Sequence, residues 1–341
     1  MDQPLKLGIL LWSQATDWPG MRDAARRIDD LGYDYLWTWD HVYAIFGDPY
    51  QDIYEGWTAL AALAASTDRI HLGLMVGANT LRNPALVAKM ATTVDHISDG
   101  RAILGIGAAW FEVEHEHDGY DFGTGFGQRC DWLDESVGLI TRLLAGETVT
   151  YASEKYHLNE ARHHPLPLQP HLPVVIGGSG EKKTLRTVAK YADIWNGIGS
   201  VEFLTAKAAI LDAHCVEVGR DPATIERTLN CQMIIRDDVE EARRVWLEAL
   251  DHNRTEHDRV EPWLGSPATI AARLREYRAI GFRGLNVEVP TPYDFETIER
   301  LVKEVKPLVD AGWDGPGEAA RQSVLPVPNW RSPASPRPGR M

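Results

Sequence analysis

The sequence predicts an α/β protein, a single (β/α)8 barrel with insertions at its C-terminal mouth. Two observations carry that reading. Short apolar runs alternate with helical patterns eight times along 341 residues, the order that builds a parallel sheet with its helices outside. The runs are apolar nearly throughout rather than at every second position, as in strands covered on both faces. A hydrophobic content of 44% is ample for one large core, and a barrel of this kind takes about 250 residues as one unit.

The elements follow in order. Residues 5–12 (LKLGILLW) read as the first strand. Met21, Ala24, Ala25, Ile28 and Leu31 then share one helical face, and Gly32 ends that helix. Residues 35–39 form the second strand and run into Asp40-His41. A loop rich in Gly, Asp, Pro and aromatics (42–54) leads to an Ala-rich helix over 57–66. Residues 70–76 give the third strand. Asn83-Pro84 then supplies a cap and a first-turn proline for a helix whose apolar stripe reads Leu86, Val87, Met90, Ala91, Val94 and Ile97. Residues 102–107 are the fourth strand.

After Trp110 the alternation lapses. Residues 111–127 are acidic and then glycine-rich, too long for a connector and more like a functional loop. A helix resumes over 128–144. Residues 147–171, with a hairpin near 149–158, read as an insertion lying across the mouth. The remaining strands fall at 173–176, 193–196, 228–235 and 285–289. Helices are expected to Ala192 and over 201–218, 239–250, 267–279 and 295–308. One barrel thus spans residues 1–314. Residues 315–341, with six of the chain's 20 prolines and little apolar content, read as a disordered tail.

Charge and cysteines narrow the function. A net charge of −14 argues against nucleic acid or an anionic membrane as partner. The partner is instead a small molecule, with a homodimer the one macromolecular association in view. Cys130, Cys215 and Cys231 have neither disulfide-framework nor zinc-site spacing. The first residues resemble no signal peptide, and nothing is apolar for about 18 residues. A cytoplasmic setting is the expectation.

In a barrel the chemistry sits just past the strands' C-terminal ends. Asp40-His41 follows the second strand. Asp there serves either as a cap or as a site residue, and His either as a hydrogen-bonded neutral group or as an acid/base. Gly177 to Gly180 open a helix. They make either a tight turn or a cradle whose free N–H groups and dipole attract a phosphate, and Lys182 and Lys183 favour the cradle. Trp12, Tyr43, Phe46, Trp110 and Phe111 would line an aromatic substrate pocket. Glu114-His115-Glu116-His117 and Arg162-His163-His164 fall away from matching strand ends, so no metal is expected.

Taken together, the strand–LGxxVxxxxxRNPxxxAKxxxTxDxxSDGR–strand–LGxGxxW pattern of residues 70–110 resembles the luciferase-like monooxygenase family of flavin- and deazaflavin-dependent TIM barrels. The likeness runs from Leu5 to about Leu308. It implies an oxidoreductase that moves hydride between coenzyme F420 and a small hydrophobic substrate. An FMN-dependent monooxygenase and a non-catalytic flavin-binding barrel are the alternatives. It further implies that His41 is the proton donor or acceptor. Asp40, Met75, Val76, Ala78 and Ala108 would seat the ring, and Gly178, Ser179, Gly180, Lys182 and Lys183 would hold the phosphate. The Met75–Val76 bond would be a non-prolyl cis peptide. The family's sugar-phosphate dehydrogenases carry a Trp and a Glu where this chain has Ile45 and Trp110. They also carry a phosphate-binding Lys with no counterpart in residues 197–200, so that activity is not expected.

Overall fold

The structure, a computed structural model, describes residues 4–258 and 261–311. The chain begins β1 (Lys6–Leu11), α1 (Trp18–Asp30), β2 (Tyr35–Thr38), α2 (Gly56–Ala64) and β3 (His71–Leu74). Pairing breaks at Met75 and Val76, whose peptide bond is cis as the resemblance implies, and resumes in β4 (Gly77–Ala78). Next come α3 (Pro84–Ile97), β5 (Ala102–Gly107), a short α4 (Glu112–Asp118), α5 (Phe126–Leu144) and a hairpin of β6 (Val149–Ala152) and β7 (His157–Ala161). The second half holds β8 (Val174–Gly177), α6 (Thr184–Tyr191), β9 (Ile194–Gly197), α7 (Val201–Glu217), β10 (Glu226–Ile235), α8 (Val239–His252), β11 (Trp263–Gly265), α9 (Pro267–Ala279) and β12 (Gly284–Val289). It closes with α10 (Phe295–Arg300) and α11 (Lys306–Asp310), joined through a π turn.

Eight parallel strands close the barrel in the order β1-β2-β3-β5-β8-β9-β10-β12, with β12 back on β1. Alternation along each strand sorts its side chains. Leu7, Ile9, Leu11, Leu285 and Val287 pack outward into the main core with the helices. Leu10, Trp12, Tyr35, Trp37, Ile103, Val175 and Ile194 pack with one another inside the barrel. The lumen is therefore mostly aromatic and aliphatic along β1 to β9, with Asn196 polar on β9. Along β10 and β12 the alternate positions are polar: Thr228, Asn230 and Gln232, then Asn286 and Glu288. Barrel lumens are ordinarily filled by Val, Ile and Leu.

Glycines let the bulge after β3 seat itself. A Cβ at Gly105 would lie 1.7 Å from the Leu74 carbonyl oxygen, and one at Gly107 would lie 2.7 Å from Val76 Cγ2. Asn83 caps α3 through Ala85 N–H with Pro84 in the first turn. The buried face of α3 is Val87, Ala88, Ala91, Thr92, Val94 and Asp95. Leu86 and Ile97, expected on that stripe, point to solvent, because the true face is centred one position further along.

Two insertions differ from expectation. Residues 111–127 contain α4 rather than only loop, and this helix packs on the mouth. Residues 147–171 touch the mouth only at the hairpin tip, where Tyr156 Oη meets Asn79 and Lys155 pairs with Asp121. The segment then runs down α3, with Leu168 and Gln169 N–H groups bound by Asp95, and reaches the start of β5 through Gln169 to Ala102. It must return there because β8 begins at that end. The expected tail, 315–341, lies outside the described residues.

Candidate active site

Asp40 leaves β2 into the bulge after β3. Its Oδ2 accepts from Ala78 N–H at 2.8 Å and from Arg82 Nη1 at 2.7 Å. Arg82 also reaches Glu55 at 2.5 Å, and Glu55 caps α2 through Trp57 and Thr58 N–H. Asp40 Oδ1 is buried and has no partner among the described residues. Burial raises the Asp40 carboxyl above the ordinary carboxylate range, and the opposing pull of Arg82 does not cancel it. A buried acceptor left open at a strand end fits a ligand N–H such as a ring imide.

His41, also buried, presents Nδ1 to both oxygens of Glu114 at 3.2 Å. Glu114 is fully buried on α4 and accepts a second hydrogen bond from Val42 N–H at 3.1 Å. The rings of Trp110 and Phe111 stand edge-on to the imidazole, both with centroids at 5.7 Å. With Nδ1 held by a carboxylate, Nε2 is the position from which His41 can give or take a proton.

The expected aromatic pocket separates into parts. Trp12 and Phe46 stack at 4.2 Å, with Trp39 tilted against Trp12 at 4.9 Å. Trp110 and Phe111 flank His41. Tyr43 turns away, its hydroxyl donating to Asp118 and its ring meeting Tyr50 and His117. It lies on the outer rim because the 42–54 loop folds outward onto α4. Met75 and Ala78 are buried at the bulge, and Ala108 is buried just past β5.

The glycine turn after β8 is only partly available to an anion. Gly178, at φ +117°, already donates its N–H to the Asn196 carbonyl oxygen. Lys183 Nζ is bound by Asp131 and the Gly127 carbonyl. Lys182 is exposed. The start of α6 has no side-chain cap, which leaves the amides of Ser179 to Lys183 without backbone partners. The N-terminal end of α5 packs beside this turn, with Cys130 Sγ 3.6 Å from Thr184 Oγ1. It brings Arg129, 7% exposed, whose guanidinium lies over the Phe122 ring and donates to the Phe122 carbonyl.

Arg82, Arg129 and Trp39 were not read as site residues in the sequence, and Glu114 was read only within the His-rich stretch 114–117 weighed for a metal. Arg129 had a signal, a cation within the buried helical face of Leu133, Ser136 and Ile140. Glu114 had none until α4 was recognised as a helix. Among the described residues no group of three or more His, Cys, Asp or Glu is placed to hold a metal. No helix of the described residues is long and apolar enough to cross a membrane.

A closed parallel barrel agrees with what sequence comparison returns. The chain belongs to the luciferase-like monooxygenase family, whose model matches residues 7–261. An uncharacterised protein of Mycobacterium tuberculosis is 32% identical over 148 residues, 43% of this chain and 51% of its own, so the chain spans about half of that relative's length. The F420-dependent glucose-6-phosphate dehydrogenase of Kineococcus radiotolerans is 27% identical, over 90% of this chain and 98% of its own. Among solved structures, an F420-dependent secondary alcohol dehydrogenase has TM-score 0.78 at 18% identity, covering 90% of this chain and 99% of that one. The FMN-bound oxygenating constituent of 3,6-diketocamphane monooxygenase from Pseudomonas putida has TM-score 0.70 at 17% identity, covering 89% and 99%. At such identities these structures speak to the fold alone.

Proposed function

We propose that the protein is an oxidoreductase that moves hydride between coenzyme F420 and a small hydrophobic substrate, in a cytoplasmic setting. The observation that carries the reading is His41, held at Nδ1 by Glu114 beside the open Oδ1 of Asp40. When bound, the deazaflavin supplies the carbon that gives or takes hydride. The chain's residues do the rest. Asp40 accepts from the ring, fixed by Ala78 and Arg82. The amides of Ser179 to Lys183, with Arg129 near them, offer an anion anchor. Trp110 and Phe111 keep water from the imidazole, and His41 Nε2 exchanges the proton that hydride transfer leaves owing on the substrate. The FMN-dependent reading stays as the second because a phosphate anchor serves either cofactor and an FMN-bound barrel shares this fold.

Titrating the purified protein separately with F420 and FMN, followed by absorbance, separates the two cofactors. In the F420-loaded protein, His41→Ala should hold cofactor affinity within about threefold and cut turnover by about 10²–10⁴. A variant that binds and turns over normally would remove His41 from the chemistry. Binding without turnover in the wild type, across a broad substrate panel, would favour the non-catalytic barrel.

A further inference from the structure

Two polar layers cross the lumen, and they differ in kind. In the deeper one every contact closes. Trp37 Nε1 donates to Asn286 Oδ1 at 2.8 Å, Asn286 Nδ2 donates to Asn196 Oδ1 at 3.1 Å, and Thr228 Oγ1 donates to the same oxygen at 2.9 Å. That layer is a self-satisfied plug.

The layer above it, toward the mouth, does not close. Asn230 Nδ2 donates to Glu288 Oε1 at 2.5 Å and Gln232 Nε2 donates to Glu288 Oε2 at 2.9 Å. Because both amide nitrogens must face the carboxylate, both amide oxygens face elsewhere. Asn230 Oδ1 and Gln232 Oε1 are buried and have no partner among the described residues. The Trp12 indole N–H acts on the Glu288 carboxyl but falls short of hydrogen-bond geometry. Among the described residues, no Lys, Arg or His pairs with Glu288. A carboxyl in a dry barrel without a cation is costly, and here it stands among further open acceptors. Unlike Asn286, it retains some exposure, so a ligand can reach it.

We propose that Glu288, Asn230 and Gln232 form a recognition site for an amine carried by the substrate. Open acceptors on Asn230 and Gln232 flank a carboxyl with no cation, a lining that suits a donor-rich, positively charged group, whereas a carboxylate or phosphate would be repelled. Trp12 joins this site to the catalytic one, since it stacks on Phe46 and meets Trp39, the residue before Asp40. The inference deepens the proposed activity and rests on it only for calling the ligand a substrate. The amine is the recognised group and not the reacting carbon.

Ligand-observed NMR titrations of the full chain at neutral pH, with and without bound F420, test it using benzylamine, benzyl alcohol and toluene as matched probes. Benzylamine should bind about tenfold or more tighter than benzyl alcohol, and Glu288→Gln should abolish that preference. Gln232→Met, which leaves the carboxylate in place, should weaken benzylamine by about threefold. Thermal unfolding checks that both variants are folded. Equal binding of benzylamine and benzyl alcohol to the wild type, or an undiminished preference in folded Glu288→Gln, overturns the proposal. An amine preference in a protein that does not bind F420 would leave this site standing and sink the cofactor reading instead.

Discussion

Replacing Glu114 tests whether the carboxylate on His41 orients a catalytic group or merely fills space. Glu114→Ala strips the acceptor from two donors, His41 Nδ1–H and Val42 N–H. Each unsatisfied donor in a buried site costs about 1–3 kcal/mol. The alanine variant should therefore lose about 2–6 kcal/mol, a large share of a usual total of about 5–15 kcal/mol. Glu114→Gln keeps the shape and one acceptor oxygen, which either donor can claim, so its cost should be about 1 kcal/mol.

Turnover should move differently from stability. Without the carboxylate the imidazole loses its fixed tautomer and ring orientation, and comparable partners of oriented histidines matter by about 10–10². Cofactor affinity should hardly change, since Glu114 contacts neither Asp40 nor the α6 turn. Three measurements on one preparation decide the matter: urea unfolding, cofactor titration and single-turnover rate with a substrate the wild type accepts. Glu116→Gln, exposed on the same helix, is the control. A folded Glu114→Gln protein that turns over within about twofold of wild type would refute the orienting role, because the carboxylate would then be worth less than the low end of that range.

Two further outcomes are expected. A Cβ at Gly180 would lie 2.7 Å from Thr184 Oγ1, so Gly180→Val must displace the turn before α6. F420 affinity, read by fluorescence titration, should drop by about tenfold or more if those amides hold the phosphate; unchanged affinity would place the anchor elsewhere. Burial raises the Glu288 carboxyl above its ordinary value of 4.5. Between that value and the raised one the native state holds more protons than the unfolded chain, so stability falls as pH rises. The wild type should thus lose stability relative to Glu288→Gln as pH climbs from about 4.5 toward neutrality. A stability difference that stays flat with pH, in denaturant titrations, would contradict it.

How much of this was legible in the sequence depends on range. The strands, their order and the Asn83-Pro84 helix start are written locally, in apolar runs and caps, and the structure reproduces them. Asp40-His41 was legible because a strand end aims it. The partners of these residues were not, since Arg82 and Glu114 arrive from α3's approach and from α4 and meet them only in three dimensions. The error over Leu86 and Ile97 has a local cause. Small and polar residues (Ala88, Thr92 and Asp95) fill the buried face, so a stripe of large apolar side chains points one position astray. The route of residues 147–171 is set by Asp95 binding the Leu168 and Gln169 N–H groups, a long-range contact that no local pattern announces.

The lumen's asymmetry bears on why such a site is built at all. Branched aliphatics at positions 230, 232 and 288 would remove two open polar atoms and an unpaired carboxyl, and replacing buried polar groups by packed apolar ones often stabilises. The deeper layer shows that this barrel can close a polar network when the network is structural. The upper layer is open beside Trp12, which stacks on Phe46 and meets Trp39, and not at the far end of the barrel. Retaining it costs stability at neutral pH, through a carboxyl that burial makes hard to ionise. Such a cost is met in sites that use their groups on a ligand. On that reading the aromatic half takes the apolar body of the ligand and the polar half fixes one end of it.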